Sequence, residues 1–166
     1  MITTLNKIRS YKLCKSGWVK LLKHLGKTKA DDAPLDFLTI LESNGLDDTL
    51  WCLKAAPKEW EPNIRMYAIW CAKQVEHLMV DERSKNALVV AQNHALGLAT
   101  DNELEAAAWA AAGAAWAAAW VARAAAGDAA WAAWAAARAT AGAAAGAAQK
   151  EMFIKMCKGE APWQIQ

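Results

Sequence analysis

Residues 100–149 read TDNELEAAAWAAAGAAWAAAWVARAAAGDAAWAAWAAARATAGAAAGAAQ, and this stretch decides the fold class. Most of it is alanine, the residue with the highest intrinsic helix propensity, so over this length a helical backbone is nearly forced. Thr100 and Glu103 stand at capping-box spacing, T-x-x-E, directly before the run. The residues that are not alanine are ordered. Trp109, Gly113, Trp116, Trp120, Arg123, Gly127, Trp131, Trp134, Arg138 and Gly142 recur at steps of three and four. At 100° per residue they keep to one side of a helix. Their mean spacing, about eleven residues per three turns, suits a nearly straight or slightly right-handed helix rather than a left-handed coiled coil.

This stripe has two readings. It is the seam of a core, where alanine faces let helices approach and each indole buries up to ~250 Å². Or it is an exposed recognition surface, since Trp and Arg dominate binding hot spots. The glycines leave gaps that a partner's Trp would fit, and Arg123 and Arg138 are placed to stack on indoles. At Gly127-Asp128 the segment either continues as one rod of roughly 70 Å, as its unbroken phase favours, or folds back as a hairpin. A glycine stop, an aspartate cap and compactness favour the hairpin.

Working outward, residues 5–25 read as one amphipathic helix, with Trp18, Leu21, Leu22 and Leu25 on one face and Gly26 as its stop. Pro34, with Asp32 as cap, opens a short helix bearing Leu35, Leu38 and Leu41, which Asn44-Gly45 ends. Asp47 and Asp48 begin the next helix, where carboxylates meet unpaired N–H groups and the positive end of the dipole. Pro57 ends it and Pro62 opens another. That helix carries Met66, Ile69, Trp70, Cys71, Val75, Leu78 and Met79, an apolar surface broad enough for a central position. Asp81-Glu82-Arg83-Ser84 turns into a helix that Gly97 closes. Residues 150–158 continue the alanine-rich helix through Met152, Phe153 and Met156 to a stop at Gly159, and Trp163 is placed to tack the terminus back.

The expected architecture is all-α: a bundle of about six to seven helices with a long Ala/Trp-rich helix or hairpin in its C-terminal half. Residues 1–30 form a basic helical arm, 31–100 a short-helix bundle, and 101–158 the long element, packed with 31–100 as one domain. A chain of 166 residues is long enough for a real core, and at 55% apolar it is too hydrophobic for a disordered one. Its ten tryptophans stand against two tyrosines and two phenylalanines.

Charge is unevenly placed. Residues 1–30 hold eight basic residues and no acidic one, and residues 31–61 hold eight acidic residues against Lys54 and Lys58. The two segments are either neighbours with complementary surfaces or separate recognition surfaces. The net charge of +2 does not by itself demand a nucleic-acid partner. Lys12, Lys15, Lys20, Lys23, Lys27 and Lys29 are the candidates for one.

No G-x-S-x-G, P-loop or G-x-G-x-x-G motif is present. Glu76-His77 and Asp81-Glu82 are the nearest approach to acid–base pairs, and nothing in their spacing selects them. His24, His77 and His94 form no metal-binding spacing, and Cys14, Cys52, Cys71 and Cys157 make no C-x-x-C pair; buried reduced thiols are the simplest reading. The expectation is therefore a protein that is not an enzyme and has no cofactor and no metal. No transmembrane helix or signal peptide is read, so the expected location is the cytoplasm.

The order of the pieces resembles a family of bacterial and phage immunity proteins associated with polymorphic toxin systems. The resemblance lies in Leu46-Asp47-Asp48-Thr49-Leu50-Trp51-Cys52-Leu53-Lys54-Ala55, in Ile69-Trp70-Cys71-Ala72 through His77-Leu78, and in Asp81-Glu82-Arg83-Ser84. It continues through Ala95-Leu96-Gly97 and Glu103-Leu104-Glu105-Ala106-Ala107 into the Ala/Trp/Arg repeats, so that roughly residues 35–157 are covered. The resemblance implies an all-α protein that binds and neutralises a toxin or a host-defence effector by surface occlusion; a phage-borne version would be an anti-defence protein of anti-CRISPR type. The candidate partner-binding residues are Trp109, Trp116, Trp120, Arg123, Trp131, Trp134 and Arg138, together with Asp31, Asp32, Asp36, Asp47 and Asp48. The acidic set suits a nuclease or another basic partner. The alternatives are nucleic-acid binding through the basic lysines and a homo-oligomeric scaffold that self-associates through the alanine–Trp helices.

Overall fold

The computed structural model describes residues 1–12, 14–74, 76–79, 81–125 and 145–163, and among these the side chains other than those of 78 and 114–125. The fold is all-α, with a single two-residue pairing of strands among the described residues. The described helices are α1 (Leu5–Ser10), α2 (Lys15–His24), α3 (Phe37–Asn44), α4 (Leu46–Cys52), α5 (Glu61–Lys73), α6 (Glu82–Ala95), α7 (Asp101–Ala125) and α8 (145–158). Strands β1 (Ile2–Thr3) and β2 (Leu35–Asp36) pair antiparallel, Ile2 opposite Asp36 and Thr3 opposite Leu35. The chain divides into two units, one of residues 1–64 and 153–166 and one of residues 65–152.

In the first unit, the basic N-terminal segment belongs to the core. Leu5, Ile8 and Leu21 are fully buried with Phe37, Ile40, Phe153 and Met156. The Met1 ammonium donates to the Cys157 carbonyl (3.4 Å), and the Thr3 hydroxyl donates to the Ala55 carbonyl (2.6 Å). Residues 5–25 are two helices, not one. Lys12 takes a left-handed φ of 58°, and the Cys14 thiol caps a new helix by accepting from Gly17 N–H (3.3 Å). The apolar face read from the sequence survives in α2 and its C-cap: Leu21 is buried, Trp18 and Leu22 are half-buried, and so is the cap residue Leu25. The start of α3 is also corrected. Asp36, not Asp32, caps it by accepting from Leu38 N–H (2.9 Å), and Pro34 lies before β2 rather than in a helical turn. Asn44-Gly45 ends α3 as expected, with Gly45 at a φ of 87°, and Asp47 and Asp48 sit in the first turn of α4.

The second unit buries large residues on α5 and alanines between α6 and α7. Met66, Tyr67 and Ile69 on α5 are buried, and the Tyr67 hydroxyl donates to the Gln149 carbonyl (3.1 Å). Helix α6 begins at an Asp81 cap and ends in a turn through Gly97, at a φ of 74°. It packs along α7 in the most extensive helix–helix contact among the described elements, with Ala95 and Ala107 buried. Alanine on both helices removes the side-chain bulk that would otherwise hold the backbones apart.

Candidate interaction surfaces

The start of α7 is held by its own sequence. Glu103 N–H donates to the Thr100 hydroxyl oxygen (3.3 Å), while Thr100 N–H donates to the Glu103 carboxylate (2.7 Å), the reciprocal capping box expected from T-x-x-E. The Thr100 hydroxyl adds a third bond to the same carboxylate (2.8 Å). These donors hold the Glu103 carboxyl below its ordinary range.

A second tie comes from outside the helix. His94, near the end of α6, has Nε2 2.7 Å from Asp101 Oδ1 and Nδ1 2.8 Å from Arg65 Nη1. A guanidinium only donates, so Nδ1 is the acceptor and Nε2–H donates to Asp101. One imidazole thus joins α5, α6 and α7. With both ring nitrogens engaged, the imidazole itself has no free lone pair to act as a base.

With α7 positioned in this way, its faces are distinct. Ala107 is buried and Leu104, Ala110 and Ala111 are half-buried on the α6 side. Trp109 lies about 200° around the helix from Ala107 and is 72% exposed. Gly113, one turn further on, is exposed, and a Cβ there would meet nothing within 4 Å. The described part of the stripe is therefore an indole standing beside a notch. Trp116, Trp120 and Arg123 continue the same register within α7. Trp131, Trp134 and Arg138 lie outside the described residues, as does the Gly127-Asp128 junction. Leu98 (74% exposed), Leu96 and Val89 add apolar surface on α6 and its loop. The sequence reading passed over these; an apolar Leu98 in a turn after Gly97 was the available signal. A groove of about 400 Å³ runs between α6 and α7, floored by Ala106, Ala107 and Ala110 and edged by Asn86, Asn93 and Glu103.

The acidic candidates take internal roles. Asp31 pairs with Lys27 (2.7 Å), which holds its carboxyl below the ordinary value, and Asp32 accepts from the Asn6 side chain (2.9 Å). Asp36 is the α3 cap. Asp48 accepts from the Asn44 amide (2.8 Å), which also donates to the Gly17 carbonyl (2.9 Å). Asp47 is exposed in the first turn of α4. Four of the five carboxylates thus hold the first unit together, two of them against α1 and the loop after α2.

Of the lysines, Lys12, Lys15, Lys20, Lys23 and Lys29 are exposed and have no ion pair among the described residues, whereas Lys27 is taken by Asp31. Two cysteines match the buried-thiol reading. Cys52 and Cys157 are buried, which pushes both thiols up to about 12. Cys71 is half-buried, and Cys14, contrary to that reading, is exposed as the α2 cap. Of the acid–base pairs, Asp81 and Glu82 take separate local roles: Asp81 caps α6 and binds Arg83 (2.7 Å), and Glu82 pairs with Lys85 (2.7 Å). Among the described residues, no group of three or more His, Cys, Asp and Glu gathers at one point, and no helix is long and apolar enough to cross a membrane. No protein-family model, curated protein or solved structure matches this chain.

Proposed function

We propose that this protein is a non-enzymatic binding protein that neutralises a toxin or a host-defence effector by covering part of its surface, with the Trp-bearing face of α7 as the contact. The observation that carries this reading is the exposure of Trp109, on the side of α7 turned from α6 and beside the open Gly113. A rigid aromatic next to a notch on a capped and clamped helix suits the centre of a protein interface, where Trp anchors fill pockets. The acidic residues contribute less, because most of them are committed to internal bonds. The resemblance of residues 35–157 to immunity proteins is the reason for an inhibitor rather than another kind of binding protein.

Affinity capture from host lysate, with and without phage infection, tests this with the tagged chain and its Trp109→Ala variant. The reading requires one stoichiometric protein that the parent retains and the variant loses. Equal recovery by both would remove α7 from the interface.

A further inference from the structure

We propose that the exposed face of α2 and its flanking turns bind the backbone of single-stranded nucleic acid, with Tyr11 as a stacking platform. This surface lies in the first unit and does not depend on the α7 reading. Lys15, Lys20 and Lys23 fall within about 140° of one another around α2, opposite the buried Gly17 and Leu21. Lys12 precedes the helix and Lys29 follows it. All five are exposed, none has an ion pair among the described residues, and no acidic residue occurs before Asp31.

Lysines held together without ion-pair partners repel one another, and an external polyanion relieves that repulsion while releasing its own counterions. The chemistry favours nucleic acid over the other polyanionic surfaces. A membrane-surface helix needs a bulky apolar face to insert. Here Leu21 is buried and Trp18 and Leu22 are half-buried, which leaves Val19 as the exposed aliphatic side chain of α2. Lysines on flexible stems are point charges that meet phosphates along a strand without a fixed geometry. Tyr11, 45% exposed beside Lys12, presents a ring on which an unpaired base can stack.

The test is fluorescence anisotropy of the full chain with a fluorescein-labelled DNA strand of mixed sequence, alone and as a duplex, from about 50 to about 200 mM salt. Binding to the strand is expected to fall linearly on a log–log plot. The triple variant Lys15→Gln, Lys20→Gln, Lys23→Gln is expected to reduce that slope by about 2, and Tyr11→Ala to weaken the strand about tenfold while sparing the duplex. Lys27→Gln, already paired with Asp31, should leave the slope unchanged. Far-UV circular dichroism of each variant, matching the parent, establishes that the fold persists. The proposal is overturned by any of three results: no binding at about 50 mM salt, a triple variant that binds like the parent, or phosphatidylserine vesicles bound as tightly as the strand.

Discussion

His94 Nε2 stands 2.7 Å from Asp101 Oδ1, so the last turn of α6 grips the first residue of α7 across the Gly97 turn. The same ring accepts from Arg65 on α5 through Nδ1. His94→Ala removes both bonds and leaves the Arg65 side without its imidazole acceptor. A cost of about 1–2 kcal/mol in urea unfolding is expected, with faster amide exchange in the first turn of α7. Unchanged exchange would show that the grip adds nothing to the capping box.

The capping box should be visible by titration. Glu103 has a depressed carboxyl pKa in the folded state, so its contribution is complete above the ordinary carboxylate range and is lost as pH falls through the folded value. Asp81, whose carboxyl is held at about 2 chiefly by the Arg83 side chain, behaves in the same sense at lower pH. Carboxyl-carbon NMR should show Glu103 moving only part of the way toward its ordinary value in Thr100→Ala, which keeps the backbone N–H donor and loses the hydroxyl, and which also costs about 1 kcal/mol of stability. Asp81 should shift upward in Arg83→Ala.

Gly17 shows how a helix-interior glycine can be required by a neighbour rather than by its backbone angle. A Cβ there would come within 2.6 Å of Asp48 Oδ2 and 3.1 Å of Cys14 Sγ. Gly17→Ala should gain about 1 kcal/mol of helix propensity, but accommodating it displaces a carboxylate held by Asn44. The gain is expected only when Asp48→Ala is combined with it. A double-mutant cycle with no coupling between positions 17 and 48 would contradict this packing.

Thiol reactivity should follow burial. Cys14 is exposed, whereas burial pushes Cys52 and Cys157 up to about 12 and raises Cys71. Because the thiolate is the reactive form, a disulfide reagent at neutral pH should modify Cys14 first and leave Cys52 and Cys157 until denaturant is added. Peptide mapping of the first modified site checks the order.

These relationships mark what can be read along a chain and what cannot. The capping box at Thr100–Glu103, the stop at Gly97 and the Asn44-Gly45 break each rest on residues within a few positions, where local rules operate. The break at Lys12 is not legible because the apolar period of Trp18, Leu21, Leu22 and Leu25 lies wholly beyond it, no Gly or Pro marks residues 10–14, and a thiol cap is rarer than a Ser or Asp cap. The engagement of Asp32 by Asn6, of the Gly17 carbonyl by Asn44, and of His94 by Arg65 spans 26 to 29 residues. Only the fold brings those partners together. The charge asymmetry between residues 1–30 and 31–61 resolved in part into internal pairing, as Lys27–Asp31 and Asn6–Asp32 show, and in part into unpaired lysines on α2.

The Trp face of α7 is proposed to meet a partner rather than a core. Denaturant unfolding of the Trp109→Ala, Trp116→Ala, Trp120→Ala variant, set against the core variant Phe153→Ala, tests it most directly. Phe153 is fully buried, and its truncation should cost about 3–5 kcal/mol. The triple Trp variant is expected to stay within about 1 kcal/mol of the parent while partner capture is lost. A loss of about 3 kcal/mol or more per indole removed would make the stripe a packing seam and contradict it.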